Sequence, residues 1–554
     1  MKKNYSFRSA VASMMLAVAV VFGFQSCGNA DNPLESIEEA VEQVVSLIVE
    51  KTGATPAEVT AAINEALTTD VVQKAISENQ PVQITIKDNT DGDGVESSAS
   101  DNTIIIPQID NLKIELIFSQ VLEGTDTNPV VVEAEGLTGD EASGDSDNDL
   151  TLSMPDAASS KGLTIVIELP NSTVTLVTNG TETVYKKVTA KTATNTLYIE
   201  EGVIIEDLVV EGGNVVIDGG EATITSIAEG SKVTIISGKL SIATGVTISE
   251  LDYQGGTVVD ADGRNVLGGT TLYASIAAAV EAGETEVTLF EDYTSDSELS
   301  VTSGLTINLN GRKWTVGGST KVGARITGGN FTINGGDSSN PGTITNGENG
   351  SLCYFVYALL GAGDISVSNV KFESSANNNG TSVISVLQGS GTHNFENLTI
   401  NCPTVQGGIY IGGEQEYDWD NSKWKGIGNT STATATIKNC TITQTQHSDT
   451  YSWTNSALAV SYGSTMTVEG GSYKGAEAAA YVFSSGGTIN LKSGTFQGLT
   501  KDLKADRRNT GENIPATVES HIYYSSSCTF TGETPSTGGT ITSGYTGSVE
   551  QKEF

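Results

Sequence analysis

The segments Ile365-Ser-Val-Ser-Asn-Val-Lys-Phe372, Asn394-Phe-Glu-Asn-Leu-Thr-Ile400, Thr436-Ile-Lys-Asn-Cys-Thr-Ile442, Thr467-Val-Glu-Gly-Gly-Ser-Tyr473 and Asn490-Leu-Lys-Ser-Gly-Thr-Phe496 superimpose. Each has an apolar residue two before its centre and an apolar or aromatic residue three after it. The centres are Asn369, Asn397, Asn439, Gly470 and Ser493, all types that suit a bend in the chain. Alternation puts Val367 and Phe372, or Ile437 and Ile442, on one inner side, so each copy reads as two short strands meeting at a tight corner.

A further apolar strand precedes several copies, at Val383 to Leu387, Ala457 to Val460 and Ala480 to Phe483, and Gly389-Ser390, Gly463-Ser464 and Gly486-Gly487 break the chain after them. Three strands and their turns make one coil of a solenoid. A single coil cannot bury its inner face, whereas coils stacked about 4.8 Å apart join their inner faces into one column. These residues, with their Asn-rich corner, resemble the pectin-lyase-like right-handed parallel β-helix superfamily over roughly residues 270 to 500. The resemblance implies an all-β fold. It does not select a function, because the superfamily includes polysaccharide lyases, glycoside hydrolases, esterases, phage tailspikes and binding proteins.

The chain has 554 residues, a formal net charge of −38 and a pI near 4.3. That charge argues against nucleic acid as a partner and against docking on anionic lipid heads. At the N-terminus Lys2, Lys3 and Arg8 precede an apolar run from Ala10 to Phe24 and the box Gln25-Ser26-Cys27-Gly28. The run is short for a membrane span and reads as a secretory signal. Phe24 is too bulky for ordinary cleavage, and cutting before Cys27 fits a bacterial lipoprotein. The box resembles the looser boxes of Bacteroidetes lipoproteins, which implies lipidation of Cys27, an outer-membrane lipid anchor and display at the cell surface. Losing three basic residues with the signal takes the charge from −38 to −41. The remaining cysteines, Cys353, Cys402, Cys440 and Cys528, form no CxxC pair and give no zinc or redox signature.

The expected order of regions is a signal peptide over 1–26, a helical tether over 27–90, a β-rich region with an acidic linker over 91–160 and a first β-solenoid tract over 161–265. The β-helix follows over 266–500, then a C-terminal cover or disordered tail over 501–554. Helical spacing from Leu34 to Val49, and a capped start at Thr55-Pro56 leading to Val71–Ile76, predict a helical hairpin. Strands are expected at 103–106, 112–118, 163–167 and 174–177. Residues 197–217 and 240–260 match at an offset of 43, through pairs such as Leu197/Leu240, Ile205/Ile248 and Val215/Val258, which predicts a narrower solenoid. The Ala-rich stretch Leu272 to Ala282 predicts a helix that caps the second one, ended by Gly283. The acidic run Asp88 to Asp101 fails the calcium-loop template at its first and twelfth positions, so no metal or other cofactor is implied.

Insertions between coils are the usual carriers of function in a solenoid. The shortest interval between corners runs from Gly470 to Ser493, and both Asn397 to Asn439 and Asn439 to Gly470 exceed it. The excess falls at 412–430 and 444–455, and these loops hold Tyr417, Trp419, Trp424, Tyr451 and Trp453. Aromatic rings among Asp, Asn and Gln suit the apolar faces and hydroxyl rims of sugars, which makes a polysaccharide or extracellular glycan the expected ligand. The bland alternative is that the rings pack inside their own loops. Catalysis by a lyase or glycoside hydrolase would need paired carboxylates or a base with a cation. Glu414, Glu416, Asp418 and Asp420 share one loop, Lys423 and Lys425 lie beside them, and Asp364, Glu373, Glu396 and Glu469 are scattered. Of the histidines, His393, His447 and His521, none shows a partner pattern in sequence.

Overall fold

Two stacks of parallel strands follow one another along the chain, as the alternating pattern requires. The computed structural model describes residues 45–51, 56–78, 82–88, 102–107, 109, 112–118, 124–134, 148–156, 163–191, 195–317, 320–346, 354–373, 382–402, 406–413, 416–418, 423–425, 431–446, 455–482, 486–505, 519–532 and 547–554. All of these fall in one unit, Val44–Phe554.

The first stack is a flattened coil with two faces. One face runs through Val45–Lys51, Val82–Asp88, Leu112–Ile117, Asn148–Met154, Ser172–Thr178 and Thr196–Glu200, and the other through Thr103–Ile106, Val130–Ala134, Thr164–Glu168, Lys187–Ala190 and Val203–Val210. Asn214–Ile227 and Lys232–Ile242 bend round the corner and belong to both faces. Inside, Ile84, Ile114, Leu150, Val174, Leu197, Val215, Val233 and Leu251 pair in succession and are all buried.

That column sets the period of the coil. Leu197 pairs with Val215, Val215 with Val233 and Val233 with Leu251, so the coil advances in equal, shorter steps. The period is 18, the separation at which the Thr225 hydroxyl donates to Asp207 in the coil before. The second face agrees, Ala222 pairing with Leu240 and Leu240 with Val258. The longer offset is two such coils plus the step from Val233 to Leu240, and it matches residues of opposite faces. Earlier coils are longer, as the steps from Ile84 to Ile114 and from Ile114 to Leu150 show.

The N-terminal part differs from the reading above. Val45–Lys51 is a strand, not the end of a helix, and pairs in register with Val82–Asp88. A short run of Val, Leu and Ile fits either period, and β-branched residues beside an open sheet edge decide for the strand. Residues 34–44 of the expected helix, with Cys27 and the stretch 89–101, lie outside the described residues. The helices α1 (Pro56–Leu67) and α2 (Asp70–Ser77) do form. They are no free tether: Val59, Ala62, Ile63, Ala66 and Val72 join the core of the first stack and close its N-terminal end.

The second stack has three faces. Its first inner column runs from Ile307 and Ile333 through Val367, Phe395, Ile437 and Val468 to Leu491, and its second from Trp314 and Ile344 through Phe372, Ile400, Ile442 and Tyr473 to Phe496. These are the columns that the repeats define. Between them the corner residues Asn310, Asn369, Asn397 and Asn439 take φ of 52 to 55° and Gly470 takes 81°, the left-handed region that Asn and Gly tolerate. Asn397 Nδ2 donates to Asn369 Oδ1 at 3.0 Å, and Asn369 Nδ2 donates to the Gly336 carbonyl at 2.9 Å, so the corner amides bond from coil to coil. At the last copy the left-handed turn falls on Gly494 rather than Ser493. Cys402 and Cys440 are core thiols, both fully buried.

The third sheet stacks Leu299–Val301, Val322–Ile326, Tyr354–Ala358, Ser382–Val386, Gly407–Ile411, Ser456–Val460, Ala478–Val482 and Lys501–Ala505. Its central strands are buried on both sides. The inward row is Val356, Ile384, Ile409 and Leu458, while Tyr357, Ser385, Tyr410, Ala459 and Tyr481 form the outward row. Beyond Leu499, coils continue where a cover was expected, in Lys501–Ala505, Ser520–Tyr524, Cys528–Phe530 and Gly547–Gln551. Ser, Thr and Gly are the composition of the solenoid itself, so they could not distinguish a tail from another coil.

The helix α3 (Ile276–Glu281) is capped by Ser275, whose Oγ accepts from the Ala278 amide at 3.0 Å, and is ended by Gly283 at φ 95°. It sits between the stacks, beside the antiparallel strand Val266–Gly268. Side chains alternate on that strand: Val266 belongs to the core of the second stack and Leu267 to that of the first. Tyr253 strengthens the seam, its ring 4.5 Å from that of Phe290 and its hydroxyl bonded to Asn310 Nδ2 at 3.0 Å.

Candidate functional site

The long interval between Asn397 and Asn439 contains an inserted antiparallel hairpin, Glu416–Asp418 with Lys423–Lys425. Register sets Tyr417 directly opposite Trp424, Glu416 opposite Lys425 and Asp418 opposite Lys423. Trp419, Tyr451 and Trp453 lie outside the described residues.

The two insertions do not leave the scaffold from equivalent places. The first leaves the C-terminal end of Gly407–Ile411 and returns at Ser431, whose amide bonds the Tyr462 carbonyl at 2.7 Å. The second leaves the end of Thr441–Gln444 and returns at the N-terminal end of Ser456–Val460. Because Gly407–Ile411 and Ser456–Val460 are neighbours in the third sheet, the roots border opposite edges of that sheet. Between them is the outward row, with Tyr410 hydroxyl 2.5 Å from Ser461 Oγ. At its ends Arg325 stands over Tyr357 and Lys504 over Tyr481, at 5.6 and 4.7 Å from the ring centroids. Tyr357 and Tyr481 are fully buried and Tyr410 is 4 % exposed, so this row packs as a second small core and is not an open platform.

The scattered acids are bound into the scaffold. Glu396 pairs with Lys438 at 2.9 Å and Glu469 with Lys492 at 3.0 Å, and the Glu396 carboxylate raises the Lys438 pKa. Asp364 Oδ1 accepts from the Thr392 amide at 2.7 Å. His393 is fully buried; its Nδ1 accepts from the Ile365 amide at 3.2 Å, and burial pushes its pKa below the usual histidine value. This is a neutral histidine holding a turn.

His521 is different, and the sequence did not show it. Ser520–Tyr524 pairs in register with Gly547–Gln551, which brings His521 against Ser548. His521 Nδ1 lies 2.9 Å from Ser548 Oγ, and its Nε2 lies 2.7 Å from Glu519 Oε2. Ser548 is far from His521 along the chain, and only the register between two successive coils sets it there. Comparison with protein-family models, curated proteins and solved structures finds no match to this chain.

Proposed function

We propose that the protein is a surface-displayed binding module that presents a carbohydrate platform on a parallel β-helix of the pectin-lyase-like kind, held to the outer membrane by a lipid on Cys27. The observation that carries the platform is the inserted hairpin with Tyr417 set against Trp424. Aromatic residues on a hairpin inserted between coils suit the apolar C–H faces of sugars. Trp419 belongs to the same insertion, while Tyr451 and Trp453 belong to the second.

The platform is tested by replacing Tyr417 and Trp424 together with Ala and measuring binding across a panel of glycans. Expected is a loss of binding of tenfold or more with a melting temperature unchanged within a few degrees. A large fall in melting temperature would show instead that the rings serve the core. The same incubations read for new reducing ends or unsaturated uronates; either product would replace binding with the alternative of lyase or hydrolase action. The anchor is tested by metabolic labelling with palmitate, which should mark the wild type and be lost in Cys27→Ser. Equal labelling of the two would refute it.

A further inference from the structure

We propose that Ser548, His521 and Glu519 form a nucleophilic relay on the last coils, which hydrolyses short acyl esters. The site is separate from the inserted hairpin and stands whether or not that hairpin binds sugar.

The protonation pattern follows from the partners. A carboxylate only accepts, so the 2.7 Å contact of Glu519 with His521 Nε2 places the ring proton on Nε2. In the neutral ring with its proton on Nε2, Nδ1 is a lone pair that faces the Ser548 hydroxyl at 2.9 Å and can accept from it. A serine donating to an imidazole whose far nitrogen is held by a carboxylate is the arrangement that activates a hydroxyl for attack. The sheet fixes it twice over, since His521 and Ser548 are register partners and Glu519 directly precedes the strand that carries His521. His521 is also held flat, its ring stacked on that of Tyr523 at 5.5 Å and 12°.

The Tyr523 ring, with Lys552 Nζ 4.7 Å from its centroid, packs against His521 and helps hold it in place.

In the reaction, Ser548 Oγ attacks the acyl carbon as His521 Nδ1 takes the hydroxyl proton. The C–O bond to the alcohol breaks, and the alcohol leaves with that proton. Water then attacks the acyl-serine, giving its proton to His521, and Ser548 recovers a proton as the carboxylic acid departs. Glu519 touches no substrate and acts as a positioning residue.

The test uses the full chain and p-nitrophenyl acetate, with a fluorophosphonate probe read by mass spectrometry. Hydrolysis should exceed the buffer rate, fall at least tenfold in Ser548→Ala and in His521→Gln, and the probe should add to Ser548. Glu519→Gln should lower kcat with KM unchanged, and Glu519→Asp should restore part of it. Hydrolysis that survives Ser548→Ala but not His521→Gln would be imidazole acting alone and would overturn the relay. So would the absence of both hydrolysis and a Ser548 adduct in a normally folded protein.

Discussion

Excising residues 232–249 is expected to leave a protein that folds and melts cooperatively within several degrees of the parent, whereas excising 232–248 is expected to destroy the seam. The first deletion removes one whole coil and sets Leu251 where Val233 stood, against Val215, and Val258 where Leu240 stood, against Ala222. Every inward side chain stays inward. The second, one residue shorter, moves each later residue to the opposite face, because side chains alternate along a strand. Glu250 and Thr257 would then point inward, while Leu251 and Val258, now 1 and 3 % exposed, would face water. Exposing two such residues costs roughly 2 kcal/mol each, and enclosing an unpaired carboxylate adds about as much again or more. Circular dichroism melting and limited proteolysis near residue 250 compare the two. Equal melting would show that this register does not govern the stack.

Replacing Phe372 with Ala should lower stability by about 3–5 kcal/mol, the usual range for removing a fully buried aromatic ring. Phe372 stands in the second inner column between Ile344 and Ile400, edge-on to Phe355 at 5.6 Å. Because each coil touches only its neighbours, the damage should concentrate there. Hydrogen exchange should speed up in the strands of residues 342–346, 370–373 and 399–402 before it does around Leu491. The neighbouring outward residue supplies the control: Lys371→Ala should change stability by about 0.5 kcal/mol or less. A similar loss for both would contradict the assignment of inner and outer rows.

Much of the scaffold was legible because its rules are local. Alternation marked Val367, Phe395 and Ile437 as one column, and a side chain tolerant of left-handed backbone marked Asn369, Asn397 and Asn439 as corners. Leu163–Ile167 and Val174–Val177 were readable as strands for the same reason. What failed was information carried by neighbours in space. Leu197 resembles Leu240 because both faces of a flat coil need inward Leu, so likeness alone could not say which face each belongs to. Val45–Lys51 reads as a strand only once Val82–Asp88 stands beside it. The outward burial of Tyr357, Tyr410 and Tyr481 breaks the alternation that a solvated face would show. The candidate sites divide in the same way: the hairpin announced itself as excess length between corners, while Glu519, His521 and Ser548 meet only through a stacking register that no local pattern encodes.

The strand Val266–Gly268 constrains how such a chain can have grown. Within the later, evenly spaced part of the first stack a duplicated coil would slot in, because each coil asks of the next only that it repeat the same faces. At Val266 and Leu267 that freedom ends, since adjacent residues answer to two different interiors. A gene could lengthen or shorten this protein on either side of that point by whole turns. It could not be cut there and joined to another half without leaving an oily wound on both pieces.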